Sequence, residues 1–349
     1  FLRRCPVRFR LMRGEALRFT NTLLFALVCV LTLTGLQALF FNGPAWVMDV
    51  HRVAGWSLLA LLPTKAVIIF NSLRRGLDLR FKRSVVVAAS VLLAGMALLV
   101  IGLGLVWLWR IGPELLWLWQ TAVAWHWMLA LALLAPFAFH VWQRWPRPKR
   151  ADLLSRRSAL KLAGFGLAGI AGWLMAEAIA QRRALSAAPR RFTGSREAGS
   201  FTGNAFPITN SVFETARPID LAQWVLIVHG VGRSPLRLTY SELLALPTTE
   251  KIATLDCTNG WYSTQVWRGV MLTDVLQHGG RTAPLRAVRL IGNSGYWGLY
   301  TAAEAQEILL ATHVGGEVLS HDHGFPVRAV VPSRRGWFWI KWLATLEAF

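Results

Sequence analysis

Acidic residues are scarce in this chain of 349 residues: 18 Asp and Glu stand against 38 Lys and Arg. Charge of either sign is low too, at 16%, where soluble domains carry about 25%. With 54% hydrophobic residues, this excludes an ordinary pair of soluble domains. Cysteine is scarcer still. Cys5, Cys29 and Cys257 cannot build a framework of paired bridges, and with two of them in the apolar half Cys257 has to be explained singly. A surplus of positive charge would suggest nucleic acid in a soluble protein, but its distribution excludes that partner. Residues 1–20 hold six Arg, 71–83 hold five Lys or Arg and 143–161 hold seven, so 18 of the 38 lie in three short stretches beside long apolar runs.

A transmembrane helix needs about 20 apolar residues. Five runs qualify, over 20–41, 46–70, 84–109, 115–142 and 159–180. The basic clusters precede the first run and separate the second from the third and the fourth from the fifth. That pattern places the N-terminus in the cytoplasm and everything after the fifth run outside, as expected of a multi-pass protein of the bacterial inner membrane. The segments 41–50 and 110–114 carry almost no positive charge, and Trp107, Trp109, Trp117 and Trp119 suit an interfacial belt there.

Beyond residue 185 alternating hydrophobicity and Gly/Pro turns read as an α+β domain. WVLIVHG (224–230), AVRLIG (287–292) and PVRAVVP (326–332) are strand-like, TYSELLAL (239–246) and MLTDVLQHG (271–279) are short helices, and 181–206 reads as a linker. The expected organisation is a transmembrane bundle over 1–150, a fifth spanning helix with its basic flank over 151–185 and the α+β domain over 186–349. SRRSALKLAGFGLAGIAG (155–172) resembles a twin-arginine export signal, except that Ala159 stands where a bulky apolar residue is usual. The alternative is a pair of inside-facing anchors, Arg156 and Arg157. Small residues near 176–180 suit signal cleavage; the expectation is that the helix stays as an anchor.

Ionisable residues inside a bilayer are costly and usually functional. His51 and Lys65 lie fourteen residues apart, as do His126 and His140, so each pair shares one helix face; at about 1.5 Å rise per residue the members are about 21 Å apart. Helices two and four run the same way, which lets His51 face His126 and Lys65 face His140. Paired imidazoles are what a b-type haem iron takes as axial ligands. The arrangement resembles the bacterial membrane cytochrome b families, in which histidines spaced this way on two helices hold two haems. That resemblance implies an outer haem on His51 and His126, and an inner haem on His140 only if neutral Lys65 stands in for the missing histidine. The alternatives are interfacial histidines that merely hydrogen-bond and a snorkelling lysine.

In the outer domain ATLDCTNGWYSTQVWRGVMLTDVL (253–276), NSGYWG (293–298), HGFPVRAVVPSRRGWFWIKWLATLE (323–347) and FPITNSVFETARPIDLAQWVLIVHGVG (206–232) together resemble the sulfite oxidase superfamily of molybdopterin enzymes. The resemblance implies Cys257 as the thiolate ligand of molybdenum, Asn210 near the metal, and Phe213 and Glu214 lining the pterin. It further implies Ser294 as a hydroxyl contact to the cofactor, His323 and Arg328 as the pair on the pterin and its terminal phosphate, and Trp339, Ile340 and Lys341 as the closing phosphate contact. Sulfite oxidases hold their anion with arginines just before that asparagine and four residues after the cysteine. Here Thr209 and Trp261 occupy those positions, which resembles the periplasmic protein-methionine-sulfoxide reductase branch, although His323 follows the sulfite oxidases. Trp261 and Tyr296 are expected at the substrate pocket.

The joined expectation is a membrane-anchored molybdopterin oxidoreductase with haem b, one or two per chain, exchanging electrons with the quinone pool and reducing an S-oxide or N-oxide, with further electron-transfer subunits as possible partners. One rival is a sulfite or other small-oxyanion dehydrogenase of the same fold that binds its substrate with Arg334, Arg335 or Arg268. The other is a non-enzymatic electron-transfer subunit of a larger complex.

Overall fold

The computed structural model describes residues 14–77, 82–112, 115–145, 149, 154–182, 190–210 and 218–349. The chain divides into a helical unit, 1–37 with 45–186, and a second unit, 38–44 with 187–349.

The helical unit contains α1 (Gly14–Phe40), α2 (Trp46–Leu77), α3 (Lys82–Trp109), α4 (Ala122–Arg144) and α5 (Arg156–Arg182). Each holds a stretch long and apolar enough to cross a membrane: Glu15–Phe40, Trp46–Phe70, Ser90–Trp109, Ala122–Gln143 and Arg156–Arg182. Such sequences become helices because a backbone removed from water must bond within its own segment. Pro63 in α2 and Pro136 in α4 lie inside these helices. The fourth helix starts seven residues later than its apolar run. Trp117–Trp119 form a 3-10 turn, and the Thr121 hydroxyl then caps α4 by accepting from the Ala124 N–H at 3.3 Å. Helix α5 packs on α2, where the Ser57 hydroxyl donates to the Phe165 carbonyl at 3.0 Å.

The second unit is built on two sheets. One contains β1 (Arg196–Glu197), β5 (Trp261–Met271), β8 (Leu309–Val314) and β10 (Arg328–Val330) in that order, with β4 (Thr249–Asp256) also paired to β5 and β9 (Glu317–Val318) to β8. The other runs β3 (Leu236–Thr239), β2 (Val225–His229), β11 (Leu343–Ala348), β6 (Ala287–Gly292) and β7 (Trp297–Thr301). Alternation produces the half-buried strands: Val288, Leu290 and Gly292 of β6 point inward while Ala287, Arg289 and Ile291 are only partly covered. Short helices α6 (Tyr240–Leu244), α7 (Leu272–His278) and α8 (Ala302–Ala305) join strands, and Thr239 and Thr301 open α6 and α8 with capping boxes. The core is aromatic at its centre, with Trp267 and Trp339 edge-to-face at 5.6 Å.

Part of the stretch expected to be a linker is structured. Residues 190–206 contain β1, which pairs in parallel with β5 at Arg196↔Trp261 and Glu197↔Tyr262, and a 3-10 turn at Gly203–Ala205.

Candidate active site

Strands β4 and β5 form an antiparallel hairpin with Asp256 opposite Tyr262, and Cys257 lies at its turn. The turn is tight: the Cys257 N–H donates to the Trp261 carbonyl at 2.8 Å and the Gly260 N–H to the Cys257 carbonyl at 3.1 Å. Gly260 takes φ +87°, a conformation costly for any residue with a Cβ. Cys257 is 8% exposed, and the Asn259 N–H points at its Sγ from 3.4 Å. Burial pushes the thiol above its ordinary range, opposed by the Asn259 N–H, the Thr209 hydroxyl and the Arg335 charge. A metal arriving there has to displace the proton.

Beside the thiol, the Trp261 Nε1–H donates to the Thr209 hydroxyl at 3.0 Å. Trp261 and Thr209 therefore meet one another, and Thr209 reaches the cysteine as well. Asn210 is tied to Lys341, whose ammonium donates to Asn210 Oδ1 at 2.6 Å, to the Asp322 carbonyl at 2.7 Å and to the Thr209 carbonyl at 3.2 Å. The buried Arg328 donates Nη1–H to the His323 carbonyl at 3.0 Å and lies over the rings of Trp267 and Trp339. His323 Nε2 faces the Phe206 carbonyl at 3.0 Å, and because a carbonyl only accepts, the proton is on Nε2. Its Nδ1 then accepts from the Ser320 hydroxyl at 2.7 Å. Burial first, and then Arg328 and Lys341, push the His323 pKa down to about 4 against the opposing Phe206 bond and Asp322.

The other expected residues take different places. Trp339 and Ile340 are buried: the Trp339 indole donates to the Arg334 carbonyl at 3.2 Å, and the Ile340 carbonyl accepts from the Ala329 N–H at 2.8 Å. Ser294 and Tyr296 occupy the turn between β6 and β7, where the Tyr296 N–H points at Ser294 Oγ from 3.4 Å and the Asn293 N–H donates to the Trp342 carbonyl. Phe213 and Glu214 lie outside the described residues. Arg334 pairs with Glu304 through Nε and Nη2 and stacks on Phe41 and Phe338, and Arg335 is engaged with Asp256.

Sequence reasoning missed Asp256, and it considered Arg335 only as a substrate ligand of the rival dehydrogenase. The carboxylate of Asp256 is fully buried and accepts from Ser195 Oγ at 2.6 Å and Thr193 Oγ1 at 2.8 Å, with Arg191 Nε at 3.1 Å and Arg335 Nη2 at 3.3 Å. An acid next to the cysteine and two adjacent arginines in SRRG were the available signals; their pairing across 79 residues was not visible.

In the helical unit the rings of His51 and His126 stand 6.4 Å apart between centroids, their planes at 75°. Two metal–imidazole bonds of about 2 Å, plus about 1 Å from each nitrogen to its ring centre, span about 6 Å. The hydrogen bonds of the two rings assign their tautomers. Thr34 Oγ1 donates to the Val30 carbonyl at 2.7 Å, so it accepts from His51 Nδ1 at 2.9 Å; His126 Nδ1 donates to the Val100 carbonyl at 2.8 Å. Both Nε2 atoms then carry the lone pair, oriented by the partner on the opposite ring nitrogen, as in protein-held metals. Gly104 makes room: a Cβ there would sit 3.2 Å from His126 Nδ1. Lys65 donates to Asn21 Oδ1 at 2.7 Å, and His140 lies four turns further along α4 than His126.

Residues 213–349 match the family described as oxidoreductase molybdopterin binding domain. The protein named uncharacterized oxidoreductase YuiH of Bacillus subtilis (strain 168) is 30% identical over 131 residues, 37% of this chain and 66% of that protein. Nitrate reductase [NADH] 1 of Oryza sativa subsp. japonica is 32% identical over 160 residues, 36% of this chain and 17% of that protein. Among solved structures the sulfane dehydrogenase SoxCD of Paracoccus pantotrophus shares 24% identity over 38% of this chain and 40% of that one, at a TM-score of 0.36. The chain thus spans just under two thirds of the first relative and less than a fifth of the second.

Proposed function

We propose, from the premise that residues 213–349 form an oxidoreductase molybdopterin-binding domain, that this chain is a membrane-anchored molybdenum oxidoreductase. In this reading it draws electrons from the quinone pool through a haem b and reduces a neutral S-oxide or N-oxide. The observation that carries the reading is the buried Cys257 thiol, set on a rigid turn and flanked by Thr209, with the buried cations Arg328 and Lys341 in the same domain. A thiolate is a soft ligand suited to such a metal, and a guanidinium and an ammonium are the groups that hold a phosphate dianion. Molybdenum bound there supplies a centre that accepts an oxygen atom and cycles by two electrons.

The residues of the chain do the rest. Arg328 and Lys341 hold the anionic end of the cofactor, Lys341 fixes Asn210, and the Trp261 indole orients the Thr209 hydroxyl beside the thiol. The overall reduction consumes two electrons and two protons, and the oxygen leaves as water. Reduction is favoured over sulfite oxidation because the two positions at which sulfite oxidases carry anion-binding arginines are the neutral Thr209 and Trp261, while Arg334 and Arg335 are taken by Glu304 and Asp256. The nitrate reductases among the relatives are likewise named for a reduction.

For the helical unit the proposal is one haem, on His51 and His126, supported by their spacing and tautomers. The His140 level offers a single imidazole, and Lys65 is engaged with Asn21. The basic clusters orient the chain with its N-terminus in the cytoplasm of a bacterium and the molybdenum domain on the outer side of the inner membrane.

The test is to purify the protein in mild detergent from cells that make the cofactor and measure molybdenum, pterin and haem per polypeptide. Turnover with reduced dye is then compared between S-oxides, N-oxides and, in reverse, sulfite. One molybdenum and one haem with S-oxide or N-oxide reduction is the expected result. Haem without molybdenum would overturn the enzyme reading and leave an electron-transfer subunit.

A further inference from the structure

We propose that the Asp256–Arg335 pair is the positioning centre of the Cys257 turn, and that it fastens to that turn both stretches by which the molybdenum domain continues into the helices. The proposal rests on the reading of Cys257 as the molybdenum ligand.

The first stretch is 38–44, which comprises the last three residues of α1 and leads on toward α2, and belongs to the second unit. The Arg335 guanidinium is buried and spends its fork on backbone. Nε–H donates to the Asp256 carbonyl at 3.1 Å, Nη2–H to the Cys257 carbonyl at 3.0 Å and Nη1–H to the Ala38 carbonyl at 3.0 Å, while Nη2 also lies 3.3 Å from the Asp256 carboxylate. Asn42 secures the same stretch next to Arg335. Its side-chain amide donates to the Pro332 and Arg334 carbonyls at 2.9 and 3.0 Å, and its N–H to the Ser333 carbonyl at 3.2 Å.

The second stretch, 190–197, follows α5. Arg191, Thr193 and Ser195 all converge on the Asp256 carboxylate, and the Arg196 N–H donates to the Gly260 carbonyl at 2.9 Å, at the far end of the cysteine turn. One buried acid and one buried guanidinium therefore receive both stretches within one residue of Cys257. None of these bonds uses the sulfur, so Sγ stays available to a metal while its backbone is held from behind.

Charge gives the pair a second effect. A buried cation hydrogen-bonded to the carbonyl of a ligand cysteine withdraws electron density from the thiolate and raises the reduction potential of the metal it binds. Asp256 opposes this, and its four donors moderate the opposition. Asp256 and Arg335 are positioning residues, since neither touches the sulfur.

The test compares Arg335→Met, Arg335→Lys and the double variant Thr193→Ala with Ser195→Ala, each as full-length protein in detergent. Three readings are taken: molybdenum per haem, the Mo–S(Cys) distance by X-ray absorption, and the midpoint potential of the molybdenum centre. Arg335→Met is expected to retain molybdenum about 10–100-fold less well, as for loss of an outer partner of a metal ligand, and Arg335→Lys to recover part of it. The double variant, which leaves Arg335 in place, is expected to keep molybdenum but lower its potential. If Arg335→Met fails to fold, the double variant alone decides. Wild-type occupancy, distance and potential in the folded variants, with only the unfolding temperature reduced, would overturn the proposal and leave a plain core ion pair. Wild-type protein without molybdenum would instead overturn the reading of Cys257 beneath it.

Discussion

Replacing Lys341 by Met keeps the length of the side chain and removes its charge, which makes it the sharpest probe of how the cofactor is held. Lys341 is 8% exposed, and its ammonium converges on Asn210 Oδ1 and the carbonyls of Thr209 and Asp322. With the cofactor bound, a phosphate would take over the proton now given to the Thr209 carbonyl at 3.2 Å, and the methionine would remove that one hydrogen bond to a charged group, worth about 1.5–3 kcal/mol. At about 1.4 kcal/mol per tenfold, that is a loss of about 10–100-fold in cofactor affinity. The same change frees Asn210 and Thr209 from their common tie, so any cofactor that remains should turn over more slowly. Molybdenum per haem after repeated dialysis measures the effect, because the proposed haem site lies in a unit the substitution does not touch. Lys341→Arg keeps the charge but presents a flat fork to acceptors that converge on a point, and is expected to fall between the two. A Lys341→Met protein that holds molybdenum through dialysis as the wild type does would refute the reasoning.

Three further outcomes are expected. His126→Leu should abolish the haem absorbance and quinol-driven turnover while leaving molybdenum and dye-driven turnover near wild type; a full haem spectrum in this variant would remove the axial-ligand reading. His323 is held neutral at pH values where an unfolded histidine, with its pKa near 6.5, binds a proton. Its contribution to stability is therefore present above about pH 6.5 and lost as pH falls toward about 4, up to about 3 kcal/mol. Urea melts of the cofactor-free protein should show this loss in the wild type and not in His323→Gln. Thr209→Arg would place a cation beside the thiol and a longer side chain in the pocket; kcat/KM for a neutral S-oxide should fall by about tenfold or more, the scale of a pocket misfit of one or more methylenes, while inhibition by sulfite strengthens. Unchanged selectivity would mean that Thr209 does not face the substrate.

What the sequence determined alone were the features that repeat along a short stretch of chain. Five apolar runs long enough to span a bilayer became five helices, since a buried backbone has no other local solution. Alternating residues became β2 and β6, and Thr239 and Thr301 with a glutamate three residues on became helix starts. The fourteen-residue spacing of the histidines is legible for the same reason, since a helical period is written in neighbouring letters. Helix boundaries were less so, because the start of α4 depends on one hydroxyl cap within an apolar run.

Tertiary structure decided which of these residues meet. Lys341 reaches Asn210 across 131 positions, Trp261 reaches Thr209 across 52, and Arg335 reaches Asp256 across 79. The composition of 190–206 reads as a linker, yet its hydroxyls and arginine satisfy a buried carboxylate that Arg335 reaches with a single nitrogen at 3.3 Å. Ala38 reads as one more residue of the first apolar run until the Arg335 fork claims its carbonyl. A buried charge takes whatever donors or acceptors the fold brings within about 3 Å of it, and that proximity is a property of packing, with no period in the sequence to announce it.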